Sequence, residues 1–370
     1  MSAGTPATIG IIGTSWRAQY YLRVASLRAD LFRITRALTR STGSAERATA
    51  EWDIPAGTNL AAFLASGPYD YVVVAVPRGW APTLITEVVR AGFPVLAETP
   101  PAADLAGLVE LYARLGADAP VQVAEQYQFQ PQHRARLEVV RAGLIGPIGS
   151  ARVSIAHGYH GASMLRLALG VGFEPVEVEA EVTVDRVVTV RGREGWADEL
   201  KVNDSVRTTA KLVFGPKVGV YEFNGEQYFS PIRSRHITIS GQRGEIVDDE
   251  VHYIVGPGHA VSARLVREQT GIDGDLEGEF LRSISLGERR LYQNPFAPAR
   301  LSDDELAVAE CMARMHSFTQ GGPAFYGLAD ASHDHYLSVI IEESAKTGAK
   351  LTSEPQPWSR VVSLVERDGG

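Results

Sequence analysis

Cysteine is nearly absent from this sequence of 370 residues, which contains only Cys311. A single cysteine cannot form a disulfide within the chain, as is typical of proteins from reducing compartments. No apolar run approaches the roughly 20 residues that span a bilayer, and the first residues lack the basic and apolar regions of a secretory signal. These absences predict a cytoplasmic protein without a membrane partner.

Positive charge is also scarce, since 36 lysines and arginines stand against 44 aspartates and glutamates, a net charge of −8. Nucleic acids and anionic membranes are bound through clustered basic side chains. The sequence has no basic block or basic helical stripe, so we expect no nucleic-acid partner. We also expect no metal, because no His, Cys or carboxylate pattern has metal-site spacing and the adjacent His333, Asp334 and His335 would diverge around a helix.

The sequence changes its pattern near residue 150. Before that point, short apolar strands alternate with helical stretches, which predicts βαβ units and a parallel sheet. After it, long alternating runs predict a mostly antiparallel sheet, with helices at Gly161–Leu169 and Ser302–Gly348. We therefore predict an α/β Rossmann domain over 1–127, followed by an α+β domain with a large open sheet over 128–370. The C-terminal helices of the second domain could pack back on the first.

The predicted strands can be placed by residue. In the first half there are five, at Ala7–Ile12, Phe32–Leu38, Tyr69–Val76, Pro94–Ala97 and Val121–Ala124. In the second half they are Ser150–Ala156, Val176–Val190, Ser205–Phe214, Gly219–Phe223, His236–Ser240 and Glu245–Val247.

The turn after the first strand is similar to a dinucleotide-binding loop. Gly13 can form the tight turn, and the helix that follows would direct its amino terminus at a phosphate. Ser15 and Ala18 replace the other two glycines of the usual pattern, so the signal comes from the strand and helix on either side. The alternative is an ordinary strand-to-helix turn. The predicted cofactor contacts in this turn are Gly13, Thr14, Ser15, Trp16 and Arg17.

The end of the second strand bears on the choice of cofactor. NAD-dependent enzymes usually place an acidic residue there for the ribose 2′-hydroxyl, but this chain has Thr39, Arg40 and Ser41. A guanidinium and two hydroxyls suit a 2′-phosphate. We therefore predict NADP as the cofactor, with NAD possible; the alternative is a solvated turn with an incidental arginine.

Several loose motifs, in their order and spacing, resemble the Gfo/Idh/MocA family of oxidoreductases. They extend over nearly the whole chain and comprise Asp70–Pro77, Ala91–Pro100, Val123–Tyr127, Gly158–His160 followed by Gly170, and Ser240–Glu245. The resemblance implies an NAD(P)-dependent oxidoreductase that acts on sugars, polyols or related small molecules. It also implies cofactor contacts at Val76, Pro77, Arg78, Glu98, Thr99 and Gln126.

The chain departs from this family at positions that carry its chemistry. Thr99 stands where the family usually has a proton-carrying lysine, and Ala156 stands where it tends to have an aspartate. An alkyl hydroxyl does not ionise near neutral pH and cannot replace the lysine. Arg78 and Ala81 likewise replace an asparagine and a histidine of the family pattern.

His160 is the member of that polar set which the chain keeps. An imidazole titrates near neutral pH, so we predict that His160 transfers the proton. The alternative is a histidine with a purely structural hydrogen bond. Tyr127, Tyr159 and His157 are the other catalytic candidates, and either tyrosine could cover the missing lysine if a nearby cation lowered its pKa.

Three functions stay open on this evidence. The leading one is an oxidoreductase that transfers hydride to or from a small polyhydroxylated or carbonyl compound. The others are a redox-neutral lyase, isomerase or glycosidase that uses a tightly bound cofactor transiently, and a non-catalytic NAD(P)-binding protein. The large apolar sheet predicts a homo-oligomer, either a dimer or a tetramer. The segment Gln227–Pro231 with Arg233 and Arg235 fits either a substrate pocket that binds an anionic group or an ordinary surface.

Overall fold

The structure, a computed structural model of the chain, describes residues 5–192, 195–361 and 363–364. Internal contacts divide the chain into two units. The first comprises the chain up to Ala135 together with Val266–Ser332, and the second comprises Arg136–Leu265 and the chain from His333 onward. The predicted fold class, a Rossmann-type parallel sheet with a second, mostly antiparallel sheet, is confirmed. None of the described helices is both long and apolar enough to cross a bilayer.

A parallel sheet forms the core of the first unit. Its strands are β1 (Ala7–Ile12), β2 (Phe32–Leu38), β3 (Ala56–Gly57), β4 (Tyr71–Val74), β5 (Val95–Ala97) and β6 (Val121–Val123). They lie in the order β3-β2-β1-β4-β5-β6 with parallel neighbours throughout. The strand order reverses between β1 and β4, where folds of this kind bind dinucleotides beyond the carboxyl ends of the strands. The sequence predicted five strands and missed β3, which is too short to show a period.

Helices connect the strands of this sheet, namely α1 (Ala18–Leu27), α2 (Thr42–Trp52), α3 (Leu60–Ala65), α4 (Ala81–Arg90) and α5 (Leu105–Leu115). Every residue of β4 is buried, which explains its unbroken apolar sequence. A helix from later in the chain, α8 (Asp303–Thr319), packs against α1 in the same unit. Its first turn is capped reciprocally by Ser302 and Glu305. Cys311 lies buried in α8, and burial raises the pKa of its thiol well above the usual range, so it packs as a neutral side chain.

The second sheet is mostly antiparallel and contains eleven strands among the described residues. They are β7 (Ile148–Ser154), β8 (Glu177–Gly192), β9 (Gly195–Phe214), β10 (Lys217–Asn224), β11 (His236–Gly241), β12 (Gly244–Val247), β13 (Glu250–Gly256), β14 (His259–Gln269), β15 (Leu281–Leu286), β16 (Arg289–Gln293) and β17 (Leu351–Thr352). Their order is β16-β15-β14-β13-β12-β11-β7-β10-β9-β8-β17, and only β7 and β10 pair in parallel among the pairings described. The division between the two units falls within β14.

The remaining helices are α6 (Pro131–Arg141), α7 (Gly158–Leu169) and α9 (Leu328–Thr347). Helix α7 packs against β7 and β10. A side chain at Gly161 would not fit, since a Cβ atom there would lie 2.4 Å from Cε2 of Tyr221. This close approach holds the start of α7 against the sheet. It therefore also fixes the position of the residues that immediately precede α7.

The six strands predicted for the second half all exist, with ends that shift by several residues. Five more strands, β13 to β17, and helix α6 were not predicted. In β13 and β14 few residues are buried, so polar and apolar side chains do not alternate strictly. The tail predicted to be helical over Ser302–Gly348 comprises two helices, α8 and α9, which Gly321, Gly322 and Pro323 separate.

A buried ion pair links α7 to α9. Arg166 Nη1 lies 2.7 Å from Asp334 Oδ1, with side-chain exposures of 0% and 2%. The same guanidinium donates to Gly172 O and Ser363 Oγ. Asp334, predicted to diverge from its histidine neighbours, is thus committed to a structural pair.

We expect Asp334→Asn to destabilise the fold by about 3–5 kcal/mol, because it leaves the Arg166 charge buried without a counter-charge. Urea unfolding followed by circular dichroism measures this change. Arg186→Gln is the matched control: it breaks an exposed Arg186–Asp204 contact of 3.9 Å and should cost less than about 1 kcal/mol. Equal effects of the two substitutions would contradict the assignment.

Candidate functional site

The turn that follows β1 is built around Gly13. Its φ is 99°, a backbone conformation that side-chain-bearing residues rarely adopt. A Cβ atom at Gly13 would lie 2.1 Å from the carbonyl oxygen of Ala75, and Gly13 N donates to Leu38 O at 2.8 Å. The turn therefore passes tightly between the ends of β2 and β4, and only glycine fits there.

Helix α1 begins after this turn with its first amides uncapped by any side chain. Arg17 occupies the cap position without a side-chain hydrogen bond to the helix, and the first turn carries no acidic residue. Free N–H groups and the helix dipole at such an end favour a negatively charged group. Thr14 is half-buried, while Ser15 and Trp16 are exposed. This end of α1 suits a ligand phosphate.

Glu98, at the end of β5, holds the start of α1 in place. Its Oε1 accepts from Arg17 Nε at 2.8 Å and from the Tyr21 hydroxyl at 2.5 Å, and its Oε2 accepts from Thr99 N at 3.2 Å. Burial and the Glu98 charge raise the pKa of Tyr21 well above its usual value, so the phenol stays protonated and donates. The carboxylate therefore orders the phosphate-facing turn from the neighbouring strand.

The charged guanidinium of Arg17 has one hydrogen-bond donor that no described residue satisfies. Burial alone would lower the pKa of Arg17, but the Glu98 carboxylate and Tyr21 raise it above the ordinary value, so the guanidinium stays charged. Its Nη2 is buried and has no hydrogen-bond partner among the described residues. An unsatisfied buried donor is costly, and a phosphate oxygen would satisfy this one. The residues present thus fit a dinucleotide.

Thr39, Arg40 and Ser41, predicted to contact the cofactor ribose, differ in whether their side chains already have protein partners. The Thr39 hydroxyl is buried and donates to Ser41 O at 2.9 Å. The Ser41 hydroxyl caps α2 by accepting from Ser44 N at 3.3 Å and also contacts the Ser44 hydroxyl. Arg40 is exposed and forms no ion pair with a described residue. Of this trio, Arg40 is available to a ligand without breaking an existing contact.

The other predicted cofactor residues lie at the ends of β4 to β6. Val76 is half-buried, whereas Pro77 and Arg78 are exposed. Thr99 is half-buried. Gln126 is buried, and its Oε1 has no hydrogen-bond partner among the described residues. Because parallel strands end at one edge of the sheet, these residues share that edge with Gly13.

A second polar cluster lies at the start of α7 in the other unit. The His157 ring centroid is 5.2 Å from that of Tyr159 and 5.2 Å from that of His160, and the Tyr159 and His160 rings are 4.4 Å apart. His160 is only 6% exposed, while His157 is exposed at the cap position of the helix. The structure therefore brings three of the four predicted catalytic side chains together.

Tyr228 completes this cluster, and the sequence analysis did not assign it a role. Its hydroxyl accepts from His157 N at 3.0 Å and forms a very short hydrogen bond with His157 Nδ1. Tyr228 lies 71 residues beyond His157, so no local motif could have linked the two. The only available signal was the polar and aromatic segment that begins at Gln227.

Tyr127, the fourth catalytic candidate, lies in the first unit in a single helical turn. It is 6% exposed, its amide donates to Glu125 Oε1 at 3.2 Å, and its ring centroid lies 6.3 Å from that of His133. Within the described residues, no group of three His, Cys, Asp or Glu side chains has the geometry to hold a metal ion. Burial, followed by the charge of Arg166, lowers the pKa of His333 well below its usual value.

Comparison with protein families confirms the resemblance. Residues 7–125 match the Gfo/Idh/MocA model, described as an oxidoreductase family with an NAD-binding Rossmann fold. No curated protein sequence matches the chain.

Solved structures share the fold over both units. An oxidoreductase from Agrobacterium radiobacter, in complex with NAD⁺, L-tartaric acid and magnesium, has a TM-score of 0.69 and 17% identity, covering 94% of this chain and 98% of that one. Levoglucosan dehydrogenase with NADH and levoglucosan has a TM-score of 0.67 and 16% identity, covering 94% and 99%. A putative myo-inositol dehydrogenase from Sinorhizobium meliloti has a TM-score of 0.63 and 16% identity, covering 93% and 99%.

Gly13→Ala is expected to weaken dinucleotide binding at least about tenfold, a loss of roughly 1.4 kcal/mol, because the new Cβ would displace the turn from Ala75. Calorimetric titration with NADP⁺ measures this change. Gly149→Ala serves as the control, since nothing lies within 4 Å of a Cβ there. Unchanged affinity in Gly13→Ala would rule out this turn as the phosphate site.

Proposed function

We propose that this chain, whose residues 7–125 match the NAD-binding Gfo/Idh/MocA oxidoreductase model, is an NADP-dependent oxidoreductase of small polyhydroxylated or carbonyl compounds. The observation that carries the proposal is the turn between β1 and α1, which suits a dinucleotide phosphate. This end combines the Gly13 turn, a helix end without a side-chain cap, and the buried Nη2 of Arg17, which has no hydrogen-bond partner among the described residues. The Glu98 carboxylate holds Arg17 in place through its Nε.

The substrate class rests on what similar proteins hold. One solved structure contains L-tartaric acid and another contains levoglucosan, both small molecules rich in hydroxyl groups. When bound, a nicotinamide would supply the hydride acceptor or donor. The chain itself must then bind and orient the substrate and move the proton of its reacting oxygen.

We assign the proton transfer to His160. Thr99 replaces the family's lysine and Ala156, fully buried, replaces its aspartate, so neither position supplies an ionisable group. His160 lies within the cluster of His157, Tyr159 and Tyr228, where an imidazole can exchange protons near neutral pH. The His160 ring contacts the rings of Tyr159 and His157, with centroids 4.4 Å and 5.2 Å away.

The preference for NADP rests on Arg40. An exposed guanidinium without a carboxylate partner, at the end of β2, suits a 2′-phosphate through charge-assisted hydrogen bonds. Ser41 contributes less than the sequence suggested, because its hydroxyl already caps α2.

We also propose a homo-oligomer in the cytoplasm. The paired strands β8 and β9 expose large apolar side chains, among them Val184, Trp196 and Leu200 at 59%, 67% and 77%. Exposed apolar surface of this kind is usually covered by a partner, and identical subunits are the commonest one. The single buried cysteine supports a reducing compartment.

The cofactor proposal predicts that NADP⁺ binds more tightly than NAD⁺ and that Arg40→Gln removes the difference by weakening NADP⁺ alone. Loss of a charge-assisted phosphate contact should cost about 1.5–3 kcal/mol. Calorimetry with both cofactors tests this, with Arg33→Gln, an exposed arginine on the same strand, as control. Binding of NAD⁺ to the wild-type protein at least as tight as that of NADP⁺ would contradict the proposed role of Arg40.

The proton-transfer proposal predicts that His160→Asn lowers turnover by about 10²–10⁴-fold while cofactor affinity stays nearly constant. The substrate is first found by screening polyols and hydroxy acids for a change in nicotinamide absorbance. His259→Asn, an exposed histidine on β14, is the control and should turn over normally. Near-wild-type turnover in His160→Asn would assign His160 a structural role.

A further inference from the structure

The loop between β10 and β11 is anchored at both ends and carries two arginines. Its first turn, Gly225–Tyr228, is capped by Asn224 and Gln227. Gln227 Nε2 also donates to Ser154 Oγ at 3.0 Å and to Ser234 O at 2.9 Å. The backbone around Arg233 and Arg235 is thus held to β7 and to the start of the loop.

Arg235 lies against the ring of the tyrosine that contacts His157. Its Cζ is 5.4 Å from the Tyr228 ring centroid, and its Nη2 donates to Tyr228 O at 3.2 Å. Stacking on an aromatic face and a carbonyl contact fix the plane of a guanidinium and leave its other donors available. Arg235 is exposed and forms no ion pair with a described residue.

Arg233 adds a second unsatisfied charge in the same segment. Its Nη1 is buried and lacks a hydrogen-bond partner among the described residues, although the residue as a whole is half-buried. A charged donor removed from water without an acceptor is unfavourable. The loop thus carries two arginines, two positions apart in the sequence, and an anion would satisfy the buried Nη1 of Arg233.

We propose that Arg235, assisted by Arg233, binds a carboxylate group of the substrate, which makes the preferred substrate a small hydroxy or oxo acid. The proposal rests on the proposed function and narrows it. A guanidinium held over the Tyr228 ring has an edge that matches a planar carboxylate through two parallel hydrogen bonds. Because Tyr228 also bonds His157, an acid held on Arg235 places its adjacent carbons beside the His157–His160 cluster.

The test uses the full-length protein and two probes of matched size, L-tartrate and the uncharged threitol. Binding is measured by calorimetry at constant ionic strength, with and without saturating NADP⁺. We expect wild-type protein to bind tartrate and to bind threitol at least about tenfold more weakly. Arg235→Gln should weaken tartrate binding at least about tenfold, close to the lower end expected for a charged hydrogen bond.

Arg191→Gln is the matched control, because Arg191 also stacks on an aromatic ring, 5.8 Å from the Trp196 centroid, but lies on β8, away from the histidines. It should bind tartrate like the wild type. Equal tartrate affinity in the two variants, or no preference for tartrate over threitol, would overturn the proposal. If tartrate binding behaves as expected but neither NADP⁺ nor NAD⁺ binds, the carboxylate site stands and the oxidoreductase assignment fails.

Discussion

The carboxylate of Glu98 is the contact on which the start of α1 depends. It gathers a guanidinium, a phenol and a backbone amide from the start of α1 and the end of β5. A charge with three donors in a buried site is well compensated, whereas removal of any donor would leave it partly unsatisfied. Because Arg17 contacts Glu98 through Nε, its buried Nη2 keeps a donor that no described residue uses. The same contact thus stabilises the turn and prepares it for an anion.

On the proposed function, the ionisable groups that transfer the proton lie in the second unit. Without a lysine at Thr99 or an aspartate at Ala156, the polar chemistry of the chain is concentrated in imidazoles and phenols around His157 and His160. On our account, the fixed positive charge comes instead from the arginines of the following loop. The proposed carboxylate site would therefore favour an acid over an uncharged sugar.

Much of the fold was predictable because the relevant signals are local. The strands of the first sheet are short apolar runs, and the capped start of α8 is visible in Ser302–Glu305. The strands β3 and β13 to β17 were missed. β3 and β17 have two residues each and show no period, and β13 and β14 are weakly buried and do not alternate. Glu98 and Arg17 were each identified as site residues, but their pairing spans 81 positions and is set by strand order. Tyr228 was missed for the same reason.

The central claim is that a dinucleotide phosphate occupies the amino end of α1. Amide hydrogen exchange with and without saturating NADP⁺ tests it directly at residues 14–18, which lead into α1 and include the cap residue Arg17, whose side chain forms no cap hydrogen bond. The account predicts that exchange slows in this segment and around Arg40 when the cofactor binds. Unchanged exchange over residues 14–18, with protection appearing in another part of the chain, would contradict it.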